Sequence, residues 1–166
     1  MLFPISDLPP QMPVQDVRVY CSVEAAIHYD MPADLIYGVS LTEGGSSESK
    51  VRNSNGTFDL GYMQFNTAYL KTLSNEGVNA DDVVKKNCYP FHLAAWRIKK
   101  HLLEPGNDLL QKVAFYHSRT PKFNNIYKKK LQQNIRNMPL KKAEKFFNLI
   151  IKRLKSLYSL QSKVDK

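Results

Sequence analysis

Pro32-Ala33-Asp34-Leu35-Ile36-Tyr37-Gly38-Val39-Ser40-Leu41-Thr42-Glu43-Gly44-Gly45 is the stretch on which the fold turns. Pro32 suits a first helical position and Asp34 the positive end of a helix dipole. Leu35, Ile36, Val39 and Leu41 supply apolar surface at helical spacing, and Gly44-Gly45 stops the helix. Glu43 therefore stands at a helix C-terminus, where the dipole disfavours a carboxylate and its proton is held more tightly. Burial would raise its pKa further, and the two glycines leave space for a polymer beside it. Glutamates also end helices in solvent without any chemical role. The residues alone leave both readings open.

Upstream, Val17, Tyr20, Cys21, Val23, Ala25 and Ile27 predict a helix over 17–28 that Asp30-Met31-Pro32 breaks. Downstream, residues 44–61 form the long polar connection that compact domains keep for binding or catalysis. Helical patterns resume over 63–74, 91–104 and 107–117, the last with Asn107-Asp108 as a start cap. A short hairpin around Asn55-Gly56 fits 54–65. The prediction is a mainly α fold.

At 166 residues and 43% hydrophobic, the chain can bury one ordinary core. Pro4 to Pro13 holds four prolines and is expected to be extended. The net charge of +9 is uneven: 11 basic and 13 acidic side chains precede residue 121, and 13 and 2 follow. That C-terminal block suits an anionic polymer, a membrane surface or an acidic protein, and charge does not choose among them. From Pro139, Ala143, Phe147, Ile150, Leu154 and Leu157 alternate with Lys141, Lys145, Lys152, Arg153 and Lys155 as an amphipathic basic helix. Such a helix packs on its own domain or contacts a membrane or partner. No apolar run reaches 18 residues, which excludes a transmembrane helix. Met1-Leu2-Phe3-Pro4 is not a secretion signal, so any leader is expected to lie outside this sequence. Zinc-type His/Cys spacing and nucleotide loops are absent, so no metal and no cofactor are expected. Cys21 and Cys88 read either as buried thiols or as one disulfide, which would close a loop of about 67 residues worth roughly 4 kcal/mol.

Three ordered elements carry a resemblance. Leu41-Thr42-Glu43-Gly44-Gly45, then Gly61-Tyr62-Met63-Gln64-Phe65-Asn66, then Ala114-Phe115-Tyr116-His117-Ser118-Arg119-Thr120-Pro121 resemble the catalytic core of soluble lytic transglycosylases, which are goose-lysozyme-like. The stretch closely resembles the small members attached to conjugation, secretion and pilus machines, and the resemblance covers roughly residues 17–130. The resemblance implies a lysozyme-like helical domain over 14–137, an extended segment at 1–13 and a basic helical tail at 138–166. It implies cleavage of the β-1,4 bond between N-acetylmuramic acid and N-acetylglucosamine, with Glu43 as single acid and base. It also implies peptidoglycan as partner, a periplasmic or wall-associated site of action, a Cys21–Cys88 bridge, and no nucleic acid. Machinery components would meet the basic helix.

By position, Gln64 and Asn66 would bond sugar amides or hydroxyls, with Gly61 beside them, and Met63 would pack on a sugar face. Tyr116 would orient Glu43 or hold the acetamido group, and His117 stands where many relatives have asparagine. Asn53 and Ser54 fall where larger relatives carry a serine after the glutamate. Asp59 either caps a turn or activates water for lysozyme-like hydrolysis. A muramidase and a wall-binding assembly factor are the rival readings.

Overall fold

The computed structural model describes residue 8 and residues 11–164, the side chains of 153, 154 and 156–164 excepted. The expected extended segment at 1–13 lies largely outside the described residues, as do the side chains of Arg153, Leu154 and Leu157.

The molecule is mainly helical, with one small sheet. Helix α1, Val14–Tyr29, begins three residues before its predicted start and ends at Asp30, whose left-handed backbone lets its N–H reach the Ala26 carbonyl. Pro32 caps the next helix rather than opening it, because its extended ψ of 129° lies outside helical space; α2 runs Ala33–Glu43. Gly44 closes α2 with φ 71°, the conformation glycine adopts without strain.

The polar connection folds into three antiparallel strands: β1 (Lys50–Arg52), β2 (Phe58–Leu60) and β3 (Phe65–Asn66). Lys50 pairs with Leu60 and Asp59 with Asn66. The hairpin expected at Asn55-Gly56 is therefore present, with an added third strand. Two or three residues are too few to display a period of two, which hides β3 from pattern reading. Because β3 occupies 65–66, helix α3 starts only at Thr67 and runs to Thr72, with the Asn66 side chain accepting from the Ala68 N–H at its start.

Helix α4 spans Tyr89–Leu102 and α5 Leu109–Ala114. Helix α6, Pro121–Ile135, is absent from the sequence prediction. Its inward stripe is only Asn124, Tyr127 and Leu131, among four lysines. Spacing of i, i+3, i+7 marks one helix face, yet two of the three residues are polar by composition. Helix α7 covers Leu140–Val164.

The core is centred on α2, whose Ile36, Tyr37 and Val39 are fully buried between α1 and α6. α1 meets α4 on another side, where Cys21 and Cys88 form a disulfide with Cα atoms 5.0 Å apart. α7 lies against α1: Phe146 and Ile150 are buried, and Phe146 meets the Tyr20 ring edge-on at 5.6 Å. The sequence reading placed Phe147 on that stripe. The helix is instead rotated so that residues 143, 146 and 150 face inward, leaving Phe147 47% exposed. Among the described residues no helix is long and apolar enough to cross a membrane.

Candidate active site

Arg18 of α1 fixes the end of α2 from below. Its buried guanidinium donates to the carbonyls of Ser40 and Gly45 and lies over the Tyr62 ring. Gly45 then presses against the sheet: a Cβ there would sit 2.1 Å from the Gly61 carbonyl oxygen and 2.6 Å from Gln64 Nε2. Only glycine permits that approach.

These contacts place Glu43 in the wall of an open cleft of about 520 Å³. Asn53, Ser54, Asn55 and Asp59 of the sheet and its turn, Gln64, Asn66, Arg97, Tyr116 and His117 complete the lining. A larger apolar groove of about 690 Å³, between the α1–α2 junction and Leu140, Ala143 and Phe147, shares no residue with it.

The Glu43 carboxyl is half-buried, and Oε1 accepts a 2.7 Å hydrogen bond from the Tyr127 hydroxyl. Burial pushes the Glu43 pKa up to about 7; the Tyr127 bond opposes this, Asp59 reinforces it and Arg97 opposes it. Loss of water outweighs the phenol and the cation together. At that helix end the Arg18 guanidinium occupies the carbonyls of Ser40 and Gly45. Near neutrality Glu43 is thus divided between acid and carboxylate, the state in which one group can both donate and receive a proton.

Eight of the sequence-singled residues line the cleft: Glu43, Asn53, Ser54, Asp59, Gln64, Asn66, Tyr116 and His117. Gly61 and Met63 do not. Gly61 is buried at φ 70°, where a Cβ would lie 2.1 Å from the Val83 carbonyl oxygen, so it serves loop packing. Met63 is wholly buried in the core and has no face to offer a sugar; its carbonyl accepts the Tyr116 hydroxyl at 2.8 Å. That bond also occupies Tyr116, so the phenol touching Glu43 is Tyr127.

Asn66 holds the sheet together, donating to Thr57 Oγ1 at 2.8 Å and Asp59 Oδ1 at 2.9 Å. Both amide hydrogens are thereby engaged within the protein. Gln64 adopts φ 47°, and its Nε2 donates to the Gly61 carbonyl at 2.8 Å. Asn53 and Thr57 close the rim turn around Asn55-Gly56. His117 stacks on Tyr127 at 4.8 Å and 5° between planes, and burial lowers its pKa, leaving it neutral at pH 7.

Sequence reasoning missed Tyr127, Arg97 and Arg18. The stripe spacing of Asn124, Tyr127 and Leu131 was the available signal for the first. Among the described residues no group of three or more His, Cys, Asp or Glu is arranged to hold a metal ion.

Fold and cleft together define a mainly α, lysozyme-like domain carrying one carboxylic acid of raised pKa at a helix end. No family model matches the chain. It is distantly similar to Protein IpgF of Shigella flexneri, 27% identical over 106 residues that cover 63% of this chain and 70% of that protein. It is also similar to Invasion protein IagB of Salmonella typhi, 25% identical over 129 residues that cover 75% of this chain and 80% of that protein.

Proposed function

We propose that the chain is a peptidoglycan lytic transglycosylase in which Glu43 serves as acid and then as base. The observation that carries this reading is a carboxyl with pKa near 7 in an open cleft, hydrogen-bonded by Tyr127. Protonated Glu43 gives its hydrogen to the glycosidic oxygen as the bond to muramoyl C1 breaks, releasing the N-acetylglucosamine side as an alcohol. The carboxylate then takes the proton of the muramoyl C6 hydroxyl, whose oxygen bonds to C1 and closes a 1,6-anhydro ring. Atoms balance without water, and Glu43 ends protonated as it began. One carboxyl suffices, in contrast to the two-carboxylate glycosidases.

Asp59 in the same cleft supports a second reading, lysozyme-like hydrolysis, in which it would activate water. Its Oδ1 accepts from Asn66, which favours a structural role for it. The likeness to an invasion protein supports local opening of the wall, in the periplasm or at the wall itself, for passage of a secretion-type apparatus.

Digestion of purified sacculi followed by mass spectrometry tests both readings. Anhydro-muropeptides from the native protein and none from Glu43→Gln are expected. Products heavier by one water establish the hydrolase, and intact sacculi defeat both.

A further inference from the structure

Arg97 of α4 lies in the cleft wall with Glu43, yet the mechanism above gives it no task. Its guanidinium carbon stands 4.1 Å from the Tyr69 ring centroid and 4.7 Å from that of Tyr116. Tyr116 is itself fixed, buried and bonded to the Met63 carbonyl, and both rings pack against Phe65. A guanidinium over aromatic rings uses its flat faces, so its in-plane N–H donors stay available at the edge. Among the described residues no carboxylate lies within ion-pair distance of Arg97 and no oxygen accepts a hydrogen bond from it.

Arg97 is half-buried, and its direct contacts are the two rings, which leave its hydrogen-bond donors unused. The other groups lining the cleft are two carboxylates, neutral amides and hydroxyls, and a histidine neutral at pH 7, so Arg97 is the cation there among the described residues. A planar fork of donors with no protein acceptor matches a carboxylate in two-point contact.

We propose that Arg97 is a carboxylate receptor that makes the cleft selective for glycan bearing an acidic substituent at the muramoyl unit. This rests on the glycan-cleaving reading above. Of the two alternating sugars, muramic acid alone carries a carboxyl-bearing arm, on O3 of the same ring whose C1 reacts beside Glu43. The acid comes either from the free lactyl group of a peptide-stripped strand or from the stem peptide attached to it. Tyr69 and Tyr116 hold the receptor in place, and beyond its lowering effect on the Glu43 pKa, Arg97 acts on choice of substrate.

Calorimetric titration of full-length Glu43→Gln protein, which cannot turn substrate over, decides the matter. Three muramoyl tetrasaccharides are compared: the free lactyl acid, its neutral methylamide and the form bearing a tetrapeptide. At least one acidic form binds about tenfold more tightly than the methylamide, the scale of a well-formed arginine-carboxylate contact. Preference for the free acid assigns the lactyl group, and preference for the peptide form alone assigns a stem carboxylate. Adding Arg97→Leu brings the ratio to about one, while Arg97→Lys, a point charge without the fork, leaves an intermediate ratio. If Arg97→Leu loses its native near-ultraviolet dichroism, Arg97→Gln replaces it. Equal binding or no binding of the three ligands overturns the proposal, as does a preference that survives removal of the charge. A sacculus digest that releases nothing while the binding preference stands would instead remove the enzymatic reading and leave the receptor.

Discussion

The Tyr127 hydroxyl donates to Glu43 Oε1 at 2.7 Å, joining positions 84 apart in the chain. That bond stabilises the carboxylate, and Asp59 disfavours it. The two neighbours thus tune one proton in opposite directions. A reaction that starts from protonated Glu43 slows as pH rises through about 7. Tyr127→Phe removes a group that lowers the pKa, so this descending limb moves to higher pH, with a drop in kcat of about tenfold from lost positioning. Asp59→Asn removes a group that raises it, so the limb moves to lower pH. Rate profiles on soluble glycan strands check both; shifts of the same sign would contradict the arrangement.

Glu43 also has a stability signature. Its folded pKa of about 7 lies above the ordinary 4.5, so the unfolded chain releases this proton first. Stability contributed through this group is therefore unaffected below pH 4.5 and falls as pH rises to about 7. Glu43→Gln abolishes that slope and is more stable than the native chain at pH 7.5, by roughly 2 kcal/mol after allowance for partial exposure. Urea unfolding of both proteins at pH 4.5 and 7.5 measures it.

The Cys21–Cys88 bridge spans 67 positions and ties α1 to the start of α4. Replacing both cysteines by alanine loosens the unfolded chain and is expected to cost about 4 kcal/mol. Denaturant unfolding at constant pH provides the value, and reduction of the native protein should reproduce most of it.

Two glycines at positive φ separate backbone strain from crowding. Gly56, at φ 83°, has nothing within 4 Å of where a Cβ would stand. Gly61, at φ 70°, faces the Val83 carbonyl at 2.1 Å. Gly56→Ala should cost about 1 kcal/mol, the strain alone, and Gly61→Ala at least about 3 kcal/mol. Thermal unfolding of the pair distinguishes them.

The helix that ends at Glu43 was legible in sequence because Asp34, the apolar run and Gly44-Gly45 each obey local rules, whereas a chemical role for Glu43 was left open by those rules and came through resemblance. The Cys21–Cys88 pairing came through resemblance, since residue count alone left it open. Helix α6 was illegible because its two polar inward positions, Asn124 and Tyr127, are buried through specific bonds to the Gln111 and Ser118 carbonyls and to Glu43. Hydropathy does not register such bonds, so the residue touching the acid escaped notice. Met63 erred the other way: a motif names its residue types, whereas the tight loop with Gln64 at φ 47° decides which of them face outward. Arg97 was passed over because a charged residue on a helix is by default assigned to solvent, and its aromatic neighbours come from α3 and the segment after α5.

Gly45 rests on the Gly61 carbonyl with no side chain between them. The end of the Glu43 helix and the strand bend at Gly61 are consequently a single stiff block, and neither can shift without dragging the other. On the proposed glycan-cleaving reading, accommodation of bulkier or bent chains falls to the exposed turn at Ser54-Asn55-Gly56, and exchanging that tip alone is expected to alter glycan choice while leaving Glu43 where it stands.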